Sequence, residues 1–183
     1  MQSTSKTKTF DLVYIAVAAV IIAVCSWISI PTLIPFTMQT FAVFFVLSFF
    51  GGKRGTAAIV VYLLFGLIGI PVFSSFTGGI GILLGPTGGY IIGFVFIGLI
   101  YWLAVLLGGN KLWIETVALL IGLVVLYAFG TLWYIKVYTS KTGTTGLLTA
   151  LTWCVFPFIL PDLLKLCLAL FLARRIAATQ KKI

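Results

Sequence analysis

The chain has 183 residues, 62% of them hydrophobic and only 8% charged. A soluble domain carries roughly a quarter charged residues, so this chain cannot cover a water-facing surface and reads as an all-α integral membrane protein. A net charge of +9 would suggest nucleic acid in a soluble protein, but here it fits lysines and arginines at cytoplasmic membrane edges.

A helical span needs about 20 apolar residues. The first apolar run, Leu12 to Ile30, follows Lys6 and Lys8 as in a signal peptide. No small-x-small cleavage pattern follows it, and Val24 before Cys25 is a poor lipoprotein site, so a retained span over 11–30 is expected. Ala16, Ala19 and Ala23 fall on one face of it, a close-approach surface for a partner helix or for packing within the bundle. A tight Pro31–Pro35 link leads to a second span, 36–50, whose start (Pro35-Phe36-Thr37-Met38-Gln39-Thr40) is polar for its position. Gly51-Gly52-Lys53-Arg54 reads as a turn at a membrane surface, and a third short span covers 55–70. The segment 71–89 is long, uncharged and rich in glycine, proline, serine and threonine. A hydrated loop usually carries charge, so this one is expected to pack over or into the bundle as a lid. Spans over 90–107, 112–134 and 146–173 complete six, arranged as one membrane domain over 1–183 with a kink in the sixth.

Six spans put both termini on one side. That side then carries Lys6, Lys8, Lys53, Arg54, Lys111, Arg174, Arg175, Lys181 and Lys182, against Lys136 and Lys141 on the other. The excess makes the first side, and both termini, cytoplasmic.

Asp162 and Lys165 are the only charges between Lys141 and Arg174. An ionisable residue at membrane depth is costly and marks a functional site by default. Pro157 and Pro161 free the carbonyls of Trp153 and Pro157, so the last span is expected to kink there. Pro161 suits the first position of a restarted helix, which would set Asp162 at its favourable N-terminus. From Asp162 to Arg174 is about 18 Å of helix, which puts Asp162 in the outer half of the bilayer. Gln39, and the start of the fourth span at Gly85-Pro86-Thr87-Gly88-Gly89-Tyr90, reach a similar depth. These segments are expected to share one outward-side pocket made of Asp162, Lys165, Thr37, Gln39, Thr87 and Tyr90. Gly88 and Gly89 would let a ligand approach the backbone, and Phe36, Phe73, Trp153 and Phe156 would supply apolar walls. Such a pocket suits a small amphipathic molecule better than a bare ion.

Some chemistries are excluded. The chain has no histidine and no Walker-type sequence, and its acids are only Asp11, Glu115 and Asp162. Cys25, Cys154 and Cys167 are isolated in apolar stretches, with neither disulfide nor metal spacing. No catalytic residue, metal or cofactor is expected, and energy for uptake would come from a partner.

The segments Pro35–Thr40, Gly69-Ile70-Pro71-Val72-Phe73, Gly85–Tyr90 with Gly93-Phe94, and Pro161-Asp162 with Lys165 resemble the BioY family. That family is the biotin-specific S component of energy-coupling factor (ECF) vitamin transporters. The resemblance implies a six-helix plasma-membrane protein of a prokaryote that captures biotin from outside with high affinity. It also implies a partner module of one transmembrane coupling subunit and two ATPases, met by the alanine face of the first span, with Ile15 where alanine is often found. Asp162 is expected to read the ureido group, leaving Lys165 for an oxygen acceptor. The competing readings are a stand-alone carrier, an S component for another small vitamin, and a small membrane enzyme using the charged pair.

Overall fold

The computed structural model describes residues 3–31, 34–142 and 146–180. Helix α1 (Ser3–Trp27) leads into a two-stranded antiparallel ribbon, β1 (Ser29–Ile30) with β2 (Phe36–Thr37), in which Ser29 pairs with Thr37 and Ile30 with Phe36. Then come α2 (Gln39–Phe50), α3 (Gly52–Leu67), a 3-10 turn at Ser74–Phe76, the short α4 (Ile80–Leu83), α5 (Gly88–Gly108), α6 (Leu112–Thr142), α7 (Leu147–Cys154) and α8 (Phe156–Gln180). Four segments are long and apolar enough to cross a membrane: Lys8–Trp27, Gly88–Gly108, Leu112–Tyr138 and Leu147–Thr179. Gln39–Phe50 is apolar but shorter.

The expected 36–50 span thus begins with a ribbon rather than helix. Pro35 and the polar start favour extended backbone before Gln39. The last segment also breaks earlier than expected. Val155 (φ −124°, ψ −58°) separates α7 from α8, and Pro157 sits in the first turn of α8, where its missing N–H is not needed. Pro161 lies inside α8. Asp162 is therefore a full turn and more beyond the helix start, and the expected help from the helix N-terminus does not apply, since that effect fades after the first turn.

In lipid, helices associate through close packing, and small residues set how close they come. Helix α5 packs mainly on α6 and then α3, while α2 packs mainly on α8, and α1 on α3 and α2. A Cβ on Gly93 would come within 2.6 Å of the Leu126 side chain, and one on Gly130 within 2.3 Å of the Tyr90 ring. Between α2 and α3 the link is Gly51 alone, at φ +85°, a left-handed conformation that glycine adopts without strain.

Ion pairs tie the helices near this link. Arg54 of α3 bonds Asp11 of α1, its Nε donating at 2.8 Å, and Arg174 of α8 meets Glu115 of α6 at 3.1 Å. Lys181 and Lys182 lie outside the described residues, as do the side chains of Lys6 and Lys141.

Candidate ligand-binding site

A cavity opens at the other end of the bundle, where α2 and α5 begin. It leaves about 70 Å³ for the centres of water-sized molecules, and its atom-free space reaches about 600 Å³ only when open solvent at the mouth is included. The ribbon contributes Thr37, α2 contributes Gln39 and Thr40, α5 contributes Tyr90, α6 contributes Tyr127, and α8 contributes Asp162 and Lys165. Apolar wall comes from Ile34, Ile91, Phe94, Leu126 and Phe158.

Asp162 and Lys165 are both buried, at 3% and 7% exposure, and lie three positions apart so that they share a helix face. Lys165 Nζ donates to Asp162 Oδ1 at 2.9 Å, to the Thr37 carbonyl at 2.7 Å and to Thr40 Oγ1 at 3.3 Å. The Thr40 hydroxyl donates onward to Asp162 Oδ1 at 3.0 Å, and the Tyr127 hydroxyl donates to Asp162 Oδ2 at 2.7 Å. The Phe36 ring centroid lies 4.2 Å from the ammonium, close enough for a cation–π contact. An ion pair in an apolar surround is tolerable only when its remaining donors and acceptors are also satisfied, and here most of them are. The ammonium has three donors, all directed at protein atoms.

Other polar groups are also held. Gln39 Nε2 donates to Tyr62 at 2.7 Å, and the Tyr90 and Thr131 hydroxyls are 2.9 Å apart. Trp133 Nε1 donates to the Gly85 carbonyl at 2.9 Å and pins the turn before α5.

Of the expected site residues, Asp162, Lys165, Thr37, Gln39, Thr87 and Tyr90 meet at the cavity. Phe36 stands behind it, over the ammonium and stacked on Phe158. Phe73 is fully buried elsewhere, edge-on to Tyr62 and in the notch left by Gly66. Gly88 and Gly89 do not line the cavity. A Cβ on Gly88 would lie 1.8 Å from the Leu83 carbonyl oxygen, and one on Gly89 2.3 Å from Trp133 Cβ, so both serve chain packing. Trp153 and Phe156 are exposed, on the outer surface of the bundle. Thr40, Tyr127, Phe94, Phe158 and Cys154 were not expected there. Thr40 belongs to the polar start Pro35–Thr40, which was the available signal for it, whereas Tyr127 carries a hydroxyl within an apolar helix, a common feature that says nothing of its direction.

The uncharged segment reaches the cavity. Ser74 and Thr87 line the cavity. Trp27 Nε1 donates to the Pro71 carbonyl at 2.9 Å, Ser26 donates to the Val72 carbonyl, and Phe76 stacks on Trp27 with 4.9 Å between centroids. Ser75 and Phe76 both have positive φ, 57° and 56°, an uncommon conformation for residues other than glycine. Of the docking alanines, Ala19 and Ala23 are buried inside the bundle and only Ala16 is exposed.

Among the described residues no group of three or more His, Cys, Asp or Glu could hold a metal ion. Fold and cavity together define a helical membrane protein with a cavity lined by polar groups at one end. The family model of the BioY family matches residues 1–182, and the chain belongs to that family. A biotin transporter BioY2 of Lactococcus lactis is 36% identical over 181 residues, 96% of each chain. A biotin transporter BioY of Thermotoga maritima is 34% identical over 167 residues, 91% of this chain and 95% of the relative. Among solved structures, the S-component for biotin from an ECF-type ABC transporter superposes with a TM-score of 0.81 at 26% identity, covering 97% of this chain and 95% of that one.

Proposed function

We propose that this chain is the biotin-binding S component of an ECF-type importer, capturing biotin at the cavity with high affinity on the outer side of a prokaryotic plasma membrane. It is a binding and transport subunit, not an enzyme. One domain over 1–183 crosses the membrane six times, through α1, α2, α3, α5, α6 and the broken α7–α8 pair, with both termini in the cytoplasm. The observation that carries the reading is the buried Asp162–Lys165 pair facing a cavity at the end opposite Arg54–Asp11 and Arg174–Glu115. Asp162 offers an acceptor to a ureido N–H, while Thr37, Gln39, Thr87 and Tyr90 surround the rest of the ligand. The thiophane ring and alkyl tail fit the wall of Phe94, Leu126 and Phe158.

Mass spectrometry of the small molecule that copurifies with the detergent-solubilised protein tests this directly. Biotin is the expected mass. Another vitamin bound in stoichiometric amount would overturn the assignment.

Energy comes from a coupling subunit and two ATPases, since the chain carries no Walker-type sequence. With Ala19 and Ala23 inside the bundle, the docking face is the exposed stripe of Val13, Ala16, Val17, Val20 and Val24 on α1. The 71–87 segment acts as the lid. A nitroxide at Ser75 is expected to lose mobility when biotin binds, and a spectrum indifferent to biotin would argue against gating.

A further inference from the structure

We propose that an anionic phospholipid occupies a groove between α6 and α8, its phosphate on Arg174 and Arg175 and one acyl chain lying along the helices. The topology proposed above puts this groove in the cytoplasmic leaflet, and the binding itself does not depend on that topology or on biotin.

Helices α6 and α8 are bridged at two points. Tyr127 bonds Asp162, and Glu115 meets Arg174. On each helix the two bridging residues are twelve positions apart, about 18 Å, so the helices run antiparallel and in step. Yet α8 packs mainly on α2, and α6 mainly on α5. Between the bridges the seam opens into a groove, walled by Leu166, Cys167, Leu170 and Phe171 of α8 and by Leu112 and Thr116 of α6. Arg174 and Arg175 close one end of it. From Leu166 to Arg174 is about 12 Å of helix, within the roughly 15 Å that one leaflet's hydrocarbon provides.

Charge points to the occupant. All three acids of the chain are held by other cations, Asp11 by Arg54, Glu115 by Arg174 and Asp162 by Lys165. Arg175 is exposed, with its guanidinium 5.8 Å from the Phe171 ring centroid, and among the described residues no carboxylate pairs with it. Two arginines against one glutamate leave one positive charge at the groove end, a match for a single phosphodiester. A guanidinium grips phosphate through two N–H groups at once, and basic pockets between helices at the cytoplasmic face hold acidic headgroups. Helix α1, which carries the proposed docking face, packs on α3 and α2 and lends no residue to the groove.

The test is a lipid titration of the delipidated protein in neutral detergent, read by native mass spectrometry. Phosphatidylglycerol is compared with phosphatidylcholine of the same acyl chains, whose choline cation offsets its phosphate. The wild-type protein is expected to bind phosphatidylglycerol at least about fivefold more tightly, the scale of one arginine beside an anionic headgroup. Arg175→Gln is expected to bring that preference below about twofold, whereas Lys53→Gln, which removes the same charge outside the groove, keeps it. Cys167→Trp fills the groove and is expected to weaken both lipids at least about threefold, the scale of one lost methylene contact. Glycerophosphoglycerol, the headgroup without its chains, is not expected to displace the lipid. Arg174 is kept in every variant, since its removal would strand the buried Glu115. No preference in the wild-type protein gives the groove to a partner helix or a second copy and overturns the proposal. Equal losses in Arg175→Gln and Lys53→Gln mean a diffuse attraction to a basic edge and overturn it too. So does an unchanged affinity in Cys167→Trp, or displacement by the headgroup alone.

Discussion

Biotin binding is expected to weaken about ten- to a hundredfold in Asp162→Asn, because the substitution removes a charged acceptor, and the protein is expected to lose stability because a buried cation is stranded. The amide has the shape of the carboxylate but carries one acceptor oxygen. If that oxygen faces Lys165 and Thr40, the NH2 group points toward Tyr127 and the ligand, and a ureido N–H then meets a donor. If the amide flips, the ammonium and the Thr40 hydroxyl meet the donor instead. Loss of a hydrogen bond to a charged group is worth about 1.5–3 kcal/mol, and breaking a buried pair about 3–5 kcal/mol. Each 1.4 kcal/mol is about tenfold in affinity, so the lost bond alone is about ten- to a hundredfold, while the broken pair lowers the stability of the free and bound protein alike. Titration of the purified variant with biotin measures it. Affinity within about threefold of wild type would mean that the ligand does not use this carboxylate.

Gly88→Ala is expected to lower stability and biotin affinity together, although Gly88 touches no part of the cavity. Its Cβ would lie 1.8 Å from the Leu83 carbonyl oxygen and 2.4 Å from the Leu83 carbonyl carbon, both backbone atoms that cannot rotate aside. The α4–α5 turn has to open, and Thr87 and Tyr90, which line the cavity, sit on either side of it. Overpacking typically costs about 1–3 kcal/mol, and a backbone clash belongs at the top of that range or above it. Gly81→Ala is the control, since nothing lies within 4 Å of its Cβ position. Thermal melts in detergent with and without biotin should separate the two variants. A Gly88→Ala protein that melts and binds like Gly81→Ala would show that the turn is not packed this way.

Much of the site was legible because charge within an apolar run is costly. That singled out Asp162 and Lys165, and polar helix starts singled out Thr37, Gln39, Thr87 and Tyr90. Direction was harder to read. A strip of sequence does not show which way Phe73, Trp153 or Phe156 points, and two of these are on the outer surface and one in a separate packing notch. Gly88 and Gly89 looked like ligand approaches, yet the neighbours that need the space are Leu83 and Trp133. Tyr127 as a whole, and the bond from Thr40 to Asp162, were missed for a related reason. Their importance comes from Asp162, 122 and 35 positions away, and no local pattern encodes such a meeting. The break at Val155 was expected later, because two prolines close together admit more than one restart and packing against α2 and α7 selects among them.

Carrying Asp162 and Lys165 on one helix face also bears on biogenesis. Every other partner of the pair belongs to an earlier segment: Thr37 and Thr40 near α2, and Tyr127 on α6. When α8 leaves the insertion machinery, it has yet to dock against either. A lone carboxylate or ammonium at mid-helix would add about 2.5–3.5 kcal/mol to insertion. Because the two sit 2.9 Å apart across a single helical turn, the last helix brings its counterion with it and enters the bilayer with no net charge at that depth. Its hydroxyl and carbonyl partners are needed only later, when the helices assemble.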